Sequence, residues 1–384
     1  MSDVLTHPAT PFNPAASSEE QRKKPTFAKN DGFYAELRKR VDDYFIATGL
    51  PQRDCPRMYR KTAVLIGTYV ASYVLLVFFA TSWWQAIPLA ALLGLATAGI
   101  GFNVAHDAGH LAYSSRPWVN KLMAMSLDLV GGSSYLWHWK HAVMHHTYVN
   151  ITGHDADIDL GVLGRLSPHQ PRLWFHRWQH FYLWPLYGLL AFVWHLYTDF
   201  REAINGKIGT HKVPRPRGWD LVQFIGGKLF FFTTAFVIPL QYHSVKEVAI
   251  AYFVVSFVLG FVLSIVFQLA HAVEEAEFPM PRPDNGQIEN AWATHQVETT
   301  VDFGRESRAL AWMVGGLNFQ IEHHLFPRIC HIHYPALSKV VESTCHDFGV
   351  RYTAHQTFWQ GLRSHYRWLR GMGQANQNPA TIQG

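Results

Sequence analysis

The sequence predicts an all-α integral membrane protein: four transmembrane helices with a cytosolic helical cap that holds a histidine-rich metal site. Three observations point there. Apolar residues gather in runs of bilayer length, histidines gather just past the ends of those runs, and basic residues gather on the same side. A chain of 384 residues, 48% of them hydrophobic, would otherwise suit two or three soluble domains.

An α-helix needs about 20 apolar residues to cross the hydrocarbon core. Residues 62–81, 84–105, 221–240 and 248–270 meet this requirement. The first two are joined by a very short link and read as a helical hairpin. The third contains Lys228, near enough to one end to snorkel to water. A fifth run, "FYLWPLYGLLAFVWHLY" at 181–197, is short, carries Pro185 and His195, and is rich in Trp and Tyr. Such aromatics favour the headgroup level. If this run crossed, the histidines after residue 105 and those after residue 270 would face opposite compartments. An interfacial helix at 181–197 keeps them together.

Arg53, Arg57, Arg60 and Lys61 precede the first run, and Lys207, Lys212, Arg215 and Arg217 precede the third. The positive-inside rule then places both termini and every histidine cluster in the cytosol. The expectation is a multi-pass protein of a bacterial inner membrane, with no nucleic-acid partner. Residues 1–30 are polar and lack a signal-peptide core, which predicts a disordered tail. Residues 31–372 form one membrane domain, and 373–384 a second disordered tail. Phe33, Leu37, Val41, Tyr44 and Phe45 repeat at helical spacing, and a helical cap follows Pro335. Cys55, Cys330 and Cys345 lack the spacing of a disulfide framework and read as reduced thiols.

Four histidine groups stand out: "HDAGH" (His106, His110), "HAVMHH" (His141, His145, His146), His271 at the end of the fourth run, and "QIEHH" (Gln320, His323, His324). Residues four apart on a helix share a face, with Cβ atoms about 5–6 Å apart. His106 with His110, and His141 with His145, are therefore placed to bind one metal, or two side by side. His146 and His324 lie about 100° further round and reach a neighbouring metal. Eight histidines are about twice what one zinc needs, so two metals are expected. Asp107, Asp155, Asp157 and Glu322 are candidates for holding the ligands' outer nitrogens. His331 and His333 read as exposed or packing residues. Imidazole suits zinc, copper, iron and nickel. The Glu-x-x-His spacing of carboxylate-rich di-iron bundles is absent.

"HDAGH", "HAVMHH" and "QIEHH", in that order and each beside a membrane boundary, resemble the three histidine boxes of the membrane fatty acid desaturase family. The resemblance runs from the first span to "HHLFPRICHIHYPAL". It implies two iron ions held by His106, His110, His141, His145, His146, His271, His323 and His324, with O2 as co-substrate. Gln320 stands where many members have histidine, which resembles the front-end subgroup. "FQLAHAVEEAEFP" is similar to bacterial linoleoyl-CoA desaturase-like proteins. The implied reaction places a cis double bond in a fatty acyl chain carried on CoA or lipid. The "HPGG" motif of a fused cytochrome b5 domain is absent, which implies a separate electron donor, a ferredoxin or cytochrome b5 with its reductase. The basic stretch 207–217 suits an acidic carrier or anionic lipid headgroups.

Two other readings remain open in the sequence. A hydroxylase or ketolase on the same di-iron core would insert oxygen instead of removing hydrogen. A divalent-metal transporter would need charged residues inside its spans, and the first, second and fourth have none.

Overall fold

The computed structural model describes residues 24–29 and 32–374. The amphipathic segment forms α1 (Phe33–Thr48). The first two apolar runs form α2 (Pro56–Phe79) and α3 (Trp83–Gly109). Box two lies on α4 (134–148), wound partly in wide π-type turns. The next two apolar runs form α5 (Trp219–Gln241) and α6 (Val245–His271). The cap adds α7 (Trp292–Glu298), α8 (Gln320–Leu325), α9 (Tyr334–Phe348) and α10 (Phe358–Gly373). Helices α2, α3, α5 and α6 are the four described helices long and apolar enough to cross a membrane.

All four begin before the predicted runs, and α2 ends at Phe79, short of the predicted 81. Pro56 opens α2, where its missing N–H costs nothing. Ser244 and Glu247 cap α6 reciprocally, Ser244 N–H donating to Glu247 Oε2 at 2.9 Å. Helices α3 and α6 pack closely at Gly94, where a Cβ would stand 2.7 Å from the Val255 carbonyl oxygen. Small residues at such contacts let backbones approach without a hydrophobic driving force.

The fifth apolar run breaks into Gln179–Tyr187, Leu190–Val193 and Asp199–Asn205. It leans on the middle of α6, with Gly188 and Ala191 against Gly260. This contact changes the reading of Lys228. The side chain does not snorkel; it is 5% exposed. Its Nζ lies 2.7 Å from Asp199 Oδ2 and donates to the Gly131 carbonyl at 2.6 Å. Asp199, held also by Trp194 Nε1 at 2.8 Å, is a counter-charge closer than water.

Six short strands join the helices. β1 (Thr26–Ala28) runs parallel to β4 (Gln287–Ala291), β2 (Lys207–Ile208) forms a hairpin with β3 (His211–Lys212), and β5 (Asp302–Phe303) pairs with β6 (Ala354–His355). Residues 26–28 therefore do not belong to a disordered tail; backbone pairing with a strand far along the chain fixes them. Of the tail expected at 373–384, Gly373 instead closes α10; the rest of the two expected tails, 1–23 and 375–384, lies outside the described residues. Phe33, Leu37 and Val41 of α1 pack with Val297, Ile321, Leu325, Leu337 and Val341, tying the cap to box three. The three cysteines are unpaired and buried.

Removing one partner of a buried ion pair leaves the other charge unpaired, at about 3–5 kcal/mol. Lys228→Met and Asp199→Asn are each expected to lower the melting midpoint in detergent micelles by several degrees. The double change Lys228→Met/Asp199→Leu should recover most of the loss.

Candidate metal centre

The four histidine groups converge at the cap-facing ends of α3 and α6. One nitrogen each from His106, His110, His141 and His323 lie within 4.8 Å of one another. A second set, His145, His271 and His324, meets the same limit. His146 stands between them, its ring 4.5 Å from that of His110 and 4.4 Å from that of His324. Box two and box three are thus each split. His141 joins the first set while His145, four residues on, joins the second. His323 and His324 divide in the same way, as side chains about 100° apart on α8 must.

The nitrogens of His106, His141 and His146 that face inward meet only one another, His141 Nε2 lying 3.2 Å from His106 Nε2 and 3.3 Å from His146 Nε2; the rest lack partners. His110 Nε2, His145 Nε2, His323 Nε2, His324 Nε2 and both nitrogens of His271 are buried with no hydrogen bond among the described residues. Burial and the neighbouring imidazoles hold His110, His141, His146, His323 and His324 well below the ordinary imidazole range. These rings are neutral, the form that binds metal. Buried polar atoms without partners are costly. Here they point at two common centres, so the donor set fits two metal ions.

Outer nitrogens are held by other segments. His145 Nδ1 lies 3.1 Å from Asp155 Oδ2 and 3.6 Å from Asp157 Oδ2. Burial pushes His145 down, and the Asp155 carboxylate outweighs it and raises the group. His324 Nδ1 donates to Gln296 Oε1 at 2.9 Å, and His323 Nδ1 lies 3.3 Å from the Tyr334 hydroxyl. Such partners fix the tautomer and the ring plane.

Asn150 joins the two halves of the second set. It takes a left-handed turn (φ 58°) two residues after Tyr148, and its N–H donates to Asp155 Oδ2 at 2.9 Å. Its side-chain amide reaches the carbonyls of His271 at 2.9 Å and Thr299 at 3.1 Å.

Two expected supporting carboxylates do other work. Asp107 Oδ2 lies 2.8 Å from His331 Nδ1, and His331 Nε2 is 2.9 Å from Lys61 Nζ. His331 is therefore neither exposed nor mere packing: it is 2% exposed and ties box one to the start of α2. His333 is buried too, its Nε2 3.3 Å from Cys55 Sγ. Glu322 and Asp302 both meet the Tyr352 hydroxyl, at 3.1 and 2.6 Å. Burial, then the Asp302 charge, holds Glu322 well above the carboxylate range. Gln320 is buried in the same helix, its Nε2 without a partner among the described residues.

Trp137 covers the first set. Its ring stacks on His141 at 4.7 Å and lies 5.2 Å from His110. Gly109, between the two box-one histidines in the approach to Trp137, leaves room that a Cβ would fill with the indole. Phe267 packs 5.8 Å from His141 on the other side. Gln296, Tyr334 and Asn150 carry no local sequence signal, because each acts on a histidine far away in the chain. The Asn150 position is legible only in part, as a residue type that tolerates a left-handed turn.

Among the four spans lies a cavity of about 430 Å³, lined by Tyr73, Leu93, Val130, Phe231, Tyr252 and Leu259. Neither Trp137 nor Phe267 lines it. Val130, on the cavity wall, shares an apolar cluster with Ala105 and Trp137, which neighbour the first histidine set.

Lipid-length helices joined to a cap, with eight buried imidazoles converging between them, define a class, the histidine-rich membrane metalloenzymes. Residues 81–356 match the family model described as Fatty acid desaturase. The chain is 39% identical over 359 residues to an sn-1 linoleoyl-lipid 6-desaturase of Arthrospira platensis, covering 93% of this chain and 96% of that one. It is 40% identical over 351 residues to an sn-1 linoleoyl-lipid 6-desaturase of Synechocystis sp., covering 91% and 98%. It is 37% identical over 366 residues to an acyl-lipid (8-3)-desaturase of Physcomitrium patens, covering 93% and 76%. The chain belongs to the fatty acid desaturase family, and its enzyme class is oxidoreductase.

His145→Ala is expected to abolish product and to lower bound metal per chain, read by elemental analysis. Asp155→Asn and Asn150→Ala should each weaken metal binding by about 10–100-fold. Gly109→Ala should displace Trp137 and change its fluorescence while the protein stays folded. Unchanged emission would show that the indole does not rest against this position.

Proposed function

We propose that the chain is an oxygen-dependent front-end desaturase that places a cis double bond in an already unsaturated, linoleoyl-like acyl chain carried on lipid or CoA. The convergence of two buried histidine sets beside an apolar cavity carries this reading. The linoleoyl-lipid and (8-3) activities in the relatives' names support the substrate class. His106, His110, His141 and His323 would hold one iron, and His145, His271 and His324 the other, with His146 between and Gln320 beside them. Two irons there would supply oxygen activation.

The protein's own residues do the positioning. An acyl chain has no polar handle at the reacting carbon, so apolar walls must set which bond is oxidised. The cavity walls from Tyr73 to Leu259 suit the methyl half of the chain. Trp137 closes the histidine end and keeps water from the reacting carbons. Asp155, Gln296 and Tyr334 hold ring orientation. The net stoichiometry removes two hydrogens from adjacent carbons and yields water, which excludes the oxygen gain of a hydroxylase or ketolase.

The topology completes the reading: both termini and the histidines on the cytosolic side of a bacterial inner membrane, the segment 179–205 at the interface, and electrons from a separate ferredoxin or cytochrome b5 with its reductase. The absence of charge in the first, second and fourth runs, 62–81, 84–105 and 248–270, tells against a transporter.

Expression in a host without polyunsaturated lipids, fed linoleate, should yield a fatty-acid methyl ester lighter by two hydrogens. The new bond should lie between the existing ones and the carboxyl end. A product gaining one oxygen, or a bond on the methyl side, would overturn the assignment.

A further inference from the structure

Desaturation needs electrons from outside, and this inference rests on that reading. Removing two hydrogens from adjacent carbons releases two electrons and two protons. Reducing one O2 to two waters takes four of each. Two electrons and two protons must therefore enter, and a one-electron carrier must deliver twice.

The β2–β3 hairpin offers a place for it. Ile208 is fully buried in a cluster with Met144 and Trp139, so the hairpin is seated on box two itself. Thr210 Oγ1 donates to the Gly153 carbonyl at 2.7 Å, and Tyr135 donates to the Pro214 carbonyl at 2.9 Å. Lys207, Lys212, Arg215 and Arg217 point outward from this platform and are exposed. None makes an ion pair among the described residues. Unpaired cations on a rigid element attract and orient an acidic partner.

Beneath the charges lies a cluster of three rings. His211 stacks on Tyr148 at 5.7 Å with 5° between planes, and lies 5.3 Å from His154. Tyr148 and His154 are 5.6 Å apart. His154 Nδ1 and His211 Nε2 are buried without partners among the described residues. His154 is followed directly by Asp155, whose carboxylate holds His145 at 3.1 Å. Tyr148 stands two residues after His146. A short path of ring contacts, covalent bonds and one hydrogen bond thus runs from the hairpin surface to two box-two histidines.

We propose that the β2–β3 hairpin and the turn after it dock a small, acidic one-electron carrier protein, and that the His211–Tyr148–His154 cluster passes its electrons to box two. The probe is an acidic [2Fe–2S] ferredoxin, with the full chain purified in uncharged micelles. Binding to immobilised ferredoxin should weaken as salt rises. Lys207→Glu/Lys212→Glu/Arg215→Glu should weaken it by about tenfold or more at low salt. Equal affinity overturns the docking surface. So does a triple variant that loses only its binding to vesicles containing anionic phosphatidylglycerol, which would assign the charges to the membrane.

His211→Leu/His154→Leu should bind ferredoxin normally. Reduction of its metal centre by photoreduced ferredoxin should be about tenfold slower, with reduction by dithionite unchanged. Equal rates with ferredoxin overturn the ring path. Binding is read without turnover, so a wild-type protein that makes no double bond would sink the desaturase reading and leave the docking result to be judged by itself.

Discussion

The structure is organised around the burial of imidazole. Eight rings are taken out of water where two long helices meet the cap, and the inward nitrogens of His110, His145, His271, His323 and His324 have no partner among the described residues. Leaving such atoms unpaired in a packed interior costs on the order of 1–3 kcal/mol each. A cluster this size survives only because other parts of the fold hold it, and because metal binding can repay the strain. A carboxylate, an amide and a phenol grip the outer nitrogens of His145, His324 and His323, so these three rings cannot turn away to find water.

The bilayer-length helices supply the frame. Pro56 opens α2 and the Ser244–Glu247 capping box opens α6, which fixes where those two helices start. The end of α6 is His271 itself, and α3 ends inside box one. Helix register therefore sets metal-ligand register. Wide turns just before His106 and through His138–His145 shift side chains off the regular α spacing. Such turns are frequent at functional sites. They accompany the division of box two between the two sets.

Two polar networks lock the frame from outside the centre. Lys228 and Asp199 fasten the broken fifth segment to α5, and Lys61, His331 and Asp107 fasten box one to α2 and to the chain after box three. In the first, Lys228 has a counter-charge within 3 Å; in the second, the His331 ring bridges Lys61 and Asp107 through its two nitrogens. That satisfies the conditions under which burying charge is tolerated. Trp137 does the corresponding apolar work, stacking on His141 and packing close over Gly109.

Much was legible in the sequence because its causes are local. Apolar length marks a span, and four-residue spacing puts histidines on one face. Those signals fixed the four long helices and the eight histidines. They did not say which histidines would share a centre. The split of His141 from His145, the pairing of Asp107 with His331, and the burial of Lys228 depend on groups tens to hundreds of residues away. The strand at 26–28 was hidden for the same reason, since its partner β4 lies some 260 residues on. Sequence spacing determines which side chains a helix can present together. Only the packing of one helix against another decides what they meet, because that depends on distances the chain closes in three dimensions.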